Sequence, residues 1–332
     1  MSIRIQHPTV DDLLGHALTY LLKHGQPGTA TKGAFRELIG PTLVLTNPLA
    51  RLSRSESRGK LFSALGELIW YLTGEAKLDF IEWYVPGDAY RKDSTNGTVR
   101  SGYGDRMFHW RGANQVENVI DLLKSRPSSR QAVIQIFDAD DLESGQHGVP
   151  CTCNLQFLLR NDRLHLFTTM RSNDAYVGFP HDVFAFTMLQ EIVARSVGVE
   201  VGTYIHSVGS FHLYDDDEVE ARGYIGEGFQ NIVPMQPMPE GDPWPAIRKV
   251  LEFERRVRSN PTEPIPKVSD YWQNIFRLLA VHSAAKPGVA NALTIVEQLG
   301  KKMSRPEYQM FVDFRISKLK EKDVQAQGSC AE

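Results

Sequence analysis

Apolar residues recur along this chain at two spacings, and each spacing predicts a different kind of element. Spacings of three and four residues predict helices at residues 9–25 and 61–74, both ending at glycine, and at 183–197, and another helix is predicted to start at 118–123. Short β-branched and aromatic runs predict strands at residues 42–46, 132–137, 155–159, 164–170 and 201–214. The span 83–110 is irregular and rich in Gly and Asp, which favours loops over a site.

The pattern changes after Pro239. Four further helices are predicted at residues 243–258, 270–284, 290–302 and 306–318, followed by a polar tail from Glu321. We therefore predict the α+β fold class, with a mixed-sheet core and surrounding helices over residues 1–240. Residues 241–332 are expected to form a helical extension and a polar tail that pack on the same domain.

Composition narrows the class of protein. The 332 residues carry a formal net charge of −3, so no general attraction to nucleic acid or to an anionic membrane is expected. No run approaches the roughly 18 apolar residues of a membrane span, and the N-terminus has no apolar signal core. Three cysteines, two of them in a tight Cys-x-Cys, fit a reduced chain with one useful thiol. We expect a soluble cytoplasmic protein that binds neither nucleic acid nor membrane.

Candidate chemistry is concentrated between Cys151 and Asp182. Arg171 is a cation on the next predicted strand, where it would favour the thiolate form of Cys151. Free cysteine is among the most buried residue types, so these residues alone favour a structural cysteine over a nucleophile. No metal is expected, because the Cys-x-Cys lacks a second pair and the nearby histidines show no ligand spacing.

Several short motifs follow one another at fixed spacing over about residues 60–215. They are Gly66–Gly74 with Glu67, Gly102-Tyr103-Gly104, Pro127–Arg130, Pro150-Cys151 with Gln156-Phe157, Arg171–Asp174, Gly178-Phe179-Pro180, His206–Gly209 and His212-Leu213-Tyr214. Each motif alone is weak evidence, whereas their order and spacing together are specific. Together they resemble the thymidylate synthase family, in the broad sense that includes the pyrimidine-nucleotide hydroxymethylases.

The resemblance implies a fold, a partner and a cofactor. It implies a mixed α/β domain that forms a homodimer through its sheet, with Arg130 donated to the phosphate site of the partner. It also implies a pyrimidine nucleoside monophosphate as substrate and 5,10-methylenetetrahydrofolate as cofactor.

The resemblance assigns roles to individual residues as well. Cys151 would add to C6 of the pyrimidine, and Glu67 would manage proton transfers through ordered water. The remaining implied residues are Tyr103 and Asp174 in the catalytic set, Arg171, Ser172, Arg130, His212, Tyr214 and Gln156 in nucleotide binding, and Gly178 and Trp83 in folate binding. Outside the resemblance, Glu67 would be a glutamate on a helix surface and Arg171 a surface cation.

Asp182 departs from the synthases of the family, which carry asparagine at this position. An asparagine amide can donate to uracil O4 and accept from N3–H, whereas a carboxylate offers only acceptors. A carboxylate can accept from the exocyclic amine of cytosine, and such a polar site can reject the wrong base by about 10⁴-fold. The cytidylate hydroxymethylases of the family carry aspartate here. The alternative is that His181-Asp182 forms a helix-start ion pair or N-cap.

Other departures concern the folate and the phosphate. Synthases end in a short apolar tail that excludes water, whereas residues 325–332 are polar, which favours water addition and a hydroxymethyl product. Trp83 and Tyr84 only partly match the tryptophan-rich segment that packs on folate. The early phosphate arginine has no clear equivalent; Arg36 is the first candidate and Lys32 the second.

The leading hypothesis is therefore a 5-hydroxymethyltransferase acting on CMP or dCMP. One alternative is a thymidylate synthase or another enzyme that modifies C5 of a uridylate. An alternative of another class is a non-catalytic nucleotide-binding protein, which would have no need of the thiol. The residues do not distinguish a ribonucleotide from a deoxyribonucleotide.

Overall fold

The chain divides into two compact units. The computed structural model describes residues 3–55, 60–143 and 148–329. The first unit is Met1–Met235 and the second is Gln236–Glu332, whereas the sequence pattern predicts a division after residue 240. The predicted packing of the extension on the core stays a prediction.

The first unit combines strands and helices. In the described residues its strands are β1 (Arg4–His7), β2 (Gln26–Ala30), β3 (Gly33–Ile39), β4 (Thr42–Leu45), β5 (Ser94–Thr95), β6 (Thr98–Val99), β7 (Val133–Gln135), β8 (Thr152–Arg160), β9 (Arg163–Asp174) and β10 (Glu200–Tyr214). Its helices are α1 (Val10–His24), α2 (Leu61–Leu72), α3 (Leu78–Tyr84), α4 (Tyr103–Phe108), α5 (Gln115–Ser125), α6 (Gly178–Val197) and α7 (Glu218–Gly226).

One mixed sheet organises this unit, in the strand order β1-β4-β10-β9-β8-β7 over the described residues. The long strand β10 pairs in parallel with β9 on one side, and antiparallel with β4 and then β3 on the other. β2 forms a hairpin with β3, and β1 pairs in parallel with β4. Because β9 and β10 run side by side, Ser172 lies beside Ser210 and Asp174 lies beside His212.

Helix α6 is the buried central helix that its long apolar run predicts. It packs against β9, β10 and α2, and all of its residues from Asp182 to Ser196 are buried. A polar side chain in such a helix needs a hydrogen-bond partner inside the protein, because water does not reach it. Asp182 is therefore held by its surroundings rather than by solvent.

The local signals for the first helix are confirmed. The Thr9 side chain accepts a hydrogen bond from the Asp12 backbone N–H at 3.1 Å, as expected of a helix start. The backbone N–H of Gly25 closes the other end by donating to the Leu21 carbonyl at 2.7 Å.

Other segments differ from expectation. The hairpin β2–β3 was not predicted, because its exposed and half-buried residues show no alternation of apolar and polar positions. The span 83–110, predicted as loops, contains the end of α3, the small hairpin β5–β6 and α4. These short elements are too brief to show a hydrophobic period of their own.

The second unit is helical, as predicted, with α8 (Trp244–Val257), α9 (Asp270–Ala284), α10 (Ala292–Lys301) and α11 (Gln309–Ser329) in its described part. α9 packs on α8 and α10, and the rings of Phe253 and Phe276 meet edge to face at 5.0 Å. The predicted polar tail from Glu321 is instead a continuation of α11 to Ser329. The predicted α+β fold class is confirmed. Within the described residues, each helix is too short or too polar to cross a bilayer.

Candidate active site

Cys151 lies at the entrance to β8, held by backbone contacts from the next strand. The Arg171 backbone N–H donates to the Cys151 carbonyl at 2.9 Å. The Arg171 guanidinium donates to the carbonyl oxygens of Pro150 and Val149 at 2.9 and 2.8 Å. Arg171 therefore clamps the segment that presents the thiol.

A β-bulge follows the cysteine directly. The register between β8 and β9 shifts between Thr152 and Asn154, which leaves Cys153 without a partner residue in the ladder. Its carbonyl instead accepts from the backbone N–H groups of Ile136 and Phe137. Bulges beside active sites commonly re-aim a side chain, and this bulge lies two residues after Cys151.

Opposing electrostatic effects act on the Cys151 thiol. Burial raises its pKa above the ordinary value, and the nearby charge of Asp182 adds to that rise. Arg171, and after it Lys32, favour the thiolate and lower the pKa. The expected contribution of Arg171 is present, but it does not overcome the loss of hydration.

Glu67 is buried on α2 and held by two tyrosine hydroxyls. The Tyr71 hydroxyl donates to Glu67 Oε1 at 3.0 Å, and the Tyr90 hydroxyl donates to the same oxygen. Burial raises the pKa of Glu67, while the two hydrogen bonds lower it. A buried carboxyl group with a raised pKa binds a proton more readily than an exposed one, which suits a general acid–base residue.

Tyr103 connects helix α4 to the nucleophile strand. Its hydroxyl accepts a hydrogen bond from the Thr152 backbone N–H at 3.3 Å, and its ring stacks on Phe186 of α6. The next residue must be small, since a Cβ at Gly104 would lie 2.8 Å from the Tyr71 carbonyl oxygen. The glycine thus allows α4 to approach α2 closely and brings Tyr103 to the site.

Asp182 lies in the second turn of α6 and is 8% exposed. The Asn173 side-chain N–H donates to Asp182 Oδ2 at 2.8 Å. A Cβ at Gly178 would come within 3.1 Å of that Asn173 nitrogen, so the glycine leaves space for this pair. The alternative that Asp182 is the N-cap of α6 is wrong, because Val177 occupies that position.

Burial raises the pKa of Asp182 well above its ordinary value, and the charges of Glu67 and Asp174 act in the same direction. The hydrogen bond from Asn173 opposes this rise. Asp182 in turn raises the pKa values of Cys151 and Tyr103. Asp182, Cys151 and Tyr103 therefore lie close enough for their charges to interact.

The hydrogen bonds continue beyond Asn173 into the core. Asn173 Oδ1 lies 2.8 Å from His206 Nε2, and His206 Nδ1 lies 2.7 Å from the Tyr204 hydroxyl. His206 and Tyr204 have no measurable exposure. Burial lowers the pKa of His206 to about 3, so its ring is neutral.

Asp174 takes part in the turn between β9 and α6. Its Oδ1 accepts hydrogen bonds from the backbone N–H groups of Tyr176 and Val177 at 2.9 and 2.8 Å. This oxygen stabilises the turn, a common use of aspartate. The catalytic role implied for Asp174 stays a prediction.

Ser172, His212 and Tyr214 gather where β9 and β10 end. Ser172 Oγ lies 3.5 Å from His212 Nδ1, and the His212 and Tyr214 rings meet edge to face at 5.0 Å. Phe35 of β3 packs edge to face on both rings. The nucleotide-binding roles implied for Ser172, His212 and Tyr214 stay predictions.

The two candidate phosphate cations occupy different surroundings. Arg36 is half-exposed and lies 3.6 Å from the Glu218 carboxylate. Lys32, at the turn of the β2–β3 hairpin, lies over the Tyr214 ring with its Nζ 5.9 Å from the ring centre. Because Lys32 also acts electrostatically on Cys151, the second candidate lies closer to the site chemistry than the first.

The remaining predicted residues lie at the edges. The Gln156 side-chain N–H donates to the Arg130 carbonyl at 2.9 Å, and the Arg130 side chain is exposed. Trp83 is half-buried on α3, the helix that packs on α2. Their roles in nucleotide and folate binding stay predictions.

Sequence reasoning gave no role to Tyr71, Tyr90, Asn173, His206 or Tyr204. Tyr71 stands four residues after Glu67 on a helix, a spacing that places both on one face. Tyr204 and His206 stand two apart on a strand whose alternate residues are buried, so two polar groups on the core side were visible in the pattern. Tyr90 carried no such signal.

These residues are covered by one family match. The family model for thymidylate synthase matches residues 48–262, which is well over half of the chain. The matched region includes Glu67, Tyr103, Cys151, Arg171 and Asp182. The chain therefore belongs to the thymidylate synthase family.

Proposed function

We propose that this protein transfers a one-carbon unit from methylenetetrahydrofolate to C5 of CMP or dCMP, and that water addition gives the 5-hydroxymethyl nucleotide. The observation that carries the proposal is Asp182, a buried carboxylate on α6 that interacts electrostatically with Cys151 and Glu67. A carboxylate at the base-reading position offers acceptors to the exocyclic amine of cytosine.

The class of reaction follows from the family. Membership implies one-carbon transfer to C5 of a pyrimidine nucleotide, with methylenetetrahydrofolate as cosubstrate. The choice of cytosine and the hydroxymethyl product are the parts that we propose.

Cys151 begins the proposed reaction. Its sulfur adds to C6 of the pyrimidine, and the electron pair of the C5–C6 bond becomes available at C5. Arg171 supports the thiolate and fixes the backbone before it. Once the one-carbon unit is bonded to C5, Glu67 accepts the C5 proton through water and the bond from this carbon to the folate nitrogen breaks, which releases tetrahydrofolate. A water molecule then adds to the exocyclic methylene carbon, and the sulfur leaves C6 as the C5–C6 double bond forms again.

The folate position is proposed at the start of α6 and on α3. When bound, methylenetetrahydrofolate supplies the one-carbon unit at the oxidation level of formaldehyde. Val177 is apolar and 42% exposed, and the adjacent Gly178 has no side chain to obstruct the approach to Asp182. With Trp83 half-buried on α3, these residues fit a planar heterocycle with apolar faces.

The homodimer is also proposed, and one sheet face supports it. Val133, Gln156, Phe167 and Ile205 form a row across β7, β8, β9 and β10 on the face opposite the core. The last three are half-buried, and Val133 is 40% exposed. Gln156 binds the backbone of Arg130, so the exposed Arg130 side chain lies at the border of this face, available to a partner subunit.

One observation favours the runner-up, a uridylate-modifying enzyme. Burial raises the pKa of Asp182 well above its ordinary value, and a protonated carboxyl group carries a donor as well as an acceptor. In that state Asp182 could donate to uracil O4, as an asparagine amide does. The base preference therefore depends on the protonation state of Asp182.

The deciding experiment is a substrate panel of CMP, dCMP, UMP and dUMP with methylenetetrahydrofolate and mass analysis of the product. We expect 5-hydroxymethyl product from a cytidylate with release of tetrahydrofolate. Asp182→Asn should move the preference toward uridylate by roughly 10²-fold or more. Asp174→Asn is the matched control, since it also neutralises a nearby carboxylate but removes a charge that raises the pKa of Asp182, so it should not move the preference toward uridylate. Methylated dUMP and dihydrofolate as the sole products of the wild type would refute the proposal.

A further inference from the structure

The side chains behind Asp182 form a hydrogen-bonded series with a fixed direction. The Asn173 amide nitrogen must face the Asp182 carboxylate, so its oxygen faces His206. His206 Nε2 must then carry a proton to donate to that oxygen. Because the imidazole is neutral, Nδ1 is bare and accepts from the Tyr204 hydroxyl. Every bond in the series donates toward Asp182.

We propose that Asn173, His206 and Tyr204 are specificity-determining positioning residues, which hold Asp182 as a hydrogen-bond acceptor and so favour cytosine over uracil. This inference rests on the proposed function, because it explains how the same site reads its base. None of the three residues needs to touch the substrate. They act through Asp182 Oδ2, which accepts the hydrogen bond from Asn173 at the end of the series.

Three donors in sequence oppose the tendency of Asp182 to be protonated. A hydrogen bond donated to a carboxylate favours its ionised form, and successive bonds in a low-dielectric interior polarise one another. Against them act burial and the negative charges of Glu67 and Asp174. Loss of the donors would leave only the opposing effects, and the acid form that tolerates uracil O4 would become more populated.

The series also fixes the orientation of Asp182. With Oδ2 bound to Asn173, the second oxygen is the one that we assign to the base. If a proton binds, the Asn173 donor makes Oδ2 the better carbonyl oxygen and places the hydroxyl on Oδ1. The state of one oxygen thus decides whether the site presents an acceptor or a donor.

The three side chains of the series are buried, and His206 packs against aromatic rings. His206 is fully buried and Asn173 is 4% exposed. The Phe179 ring meets the His206 ring edge to face at 5.1 Å and also packs on Phe211. Because solvent does not reach these side chains, we expect a deletion in the series to be transmitted to Asp182 rather than repaired by water.

The test measures binding rather than turnover. The dissociation constants of CMP and UMP are determined by calorimetry for the wild type, His206→Leu, His206→Gln and Tyr204→Phe, after confirming that each variant is folded. Glutamine retains a donor for Asn173, whereas leucine does not. We expect the preference for CMP over UMP to fall about tenfold in His206→Leu, to fall less in Tyr204→Phe, and to be largely retained in His206→Gln.

The pH dependence supplies a second readout. The groups that interact electrostatically with Asp182 are Glu67, Asp174, Cys151, Tyr71, Tyr90, Tyr103 and Tyr204, and all of them are unchanged in the two His206 variants. As pH falls, the CMP preference should decline when Asp182 becomes protonated. The midpoint of this decline should move to higher pH in His206→Leu but not in His206→Gln.

The outcomes separate the two proposals. A wild type that prefers UMP refutes the proposed function. A wild type that prefers CMP, with a preference and pH midpoint unchanged in His206→Leu and Tyr204→Phe, refutes the positioning role alone. Parallel loss of CMP and UMP affinity at an unchanged ratio does so as well, since it indicates a purely structural contribution.

Discussion

The proposed nucleophile and the proposed base-reading carboxylate are held in contrasting ways. Cys151 is half-buried, and the contacts that fix it are mostly with the backbone, including the Arg171 N–H that binds its carbonyl. Asp182 is buried, and its partner Asn173 is bound in turn to His206, so a series of side chains holds it. Backbone contacts depend little on residue identity, whereas side-chain contacts depend on it completely.

This difference indicates that reactivity and base specificity depend on different contacts. A strand, a bulge and an arginine clamp can present a thiol to any pyrimidine. The choice between two bases that differ in one donor and one acceptor needs a group whose protonation is controlled. We therefore expect changes near Cys151 to abolish turnover without altering the base preference, and changes near Asp182 to alter the preference.

The largest effect is expected from removal of the nucleophile. Cys151→Ser should lower kcat by at least about 10³-fold, equivalent to about 4 kcal/mol of transition-state stabilisation, because a serine hydroxyl is a far weaker nucleophile here. Nucleotide binding and the base preference should persist. The measurement is tritium release from C5-labelled nucleotide, together with calorimetric binding.

Cys153→Ser is the matched control for this substitution. Cys153 is also half-buried and lies two positions further along, on the bulge. It should retain most of the activity. A non-catalytic binding protein would instead show no tritium release in the wild type. Equal activity of Cys151→Ser and Cys153→Ser would exclude Cys151 as the nucleophile.

A smaller effect should distinguish the two phosphate cations. Lys32→Ala is expected to raise the KM for the nucleotide several-fold, because the residue lies over Tyr214 and interacts with the Cys151 region. Arg36→Ala should change it less, since Arg36 lies against Glu218 at 3.6 Å. Steady-state kinetics at low and high salt check this, and the effect at Lys32 should shrink as salt rises. A larger increase in KM for Arg36→Ala than for Lys32→Ala would instead identify Arg36 as the phosphate ligand.

The fold was predictable where the sequence shows a hydrophobic periodicity or a helix-capping residue. Thr9 with Asp12, and the apolar run that becomes α6, gave elements that the structure confirms. The β2–β3 hairpin was not predictable, because its stability comes from pairing with β10 rather than from its own pattern. Its position could not be inferred either, so the relative places of Lys32 and Arg36 emerged only from the structure.

The site was predictable to the extent that its residues are contiguous in sequence. Cys151 and Arg171 belong to short motifs on neighbouring strands, and their proximity follows from the pairing of β8 with β9. The Asn173–His206–Tyr204 series was not predictable, because it joins β9 to β10 through side chains whose partners are set by tertiary packing. The only clue was the presence of polar residues on the buried side of a strand.

The smallest effect concerns stability, and it tests whether Asp182 is held at an energetic cost. Because the folded state raises the pKa of Asp182, its contribution to stability is fully present below the unfolded pKa and is lost as pH rises through the folded pKa. The Asp182→Asn side chain does not titrate, so the variant does not lose this stability as pH rises. Its amide oxygen can still accept a hydrogen bond from Asn173. The variant should therefore melt at a higher temperature than the wild type at about pH 8. A gain of about 1 kcal/mol in the free energy of unfolding would raise Tm by about 2–4 °C in a domain of this size.

The difference in Tm between Asp182→Asn and the wild type should narrow as pH falls toward about pH 5. Asp138→Asn provides a control of opposite sign. The hydrogen bond from the Trp110 indole lowers the pKa of Asp138, so its stabilisation is present above the unfolded pKa and is lost as pH falls through the folded pKa. That variant should melt lower than the wild type at neutral pH. Thermal melts across this pH range check both directions, and an Asp182→Asn variant that is less stable than the wild type at neutral pH would show that the carboxylate is satisfied by its partners rather than strained by burial.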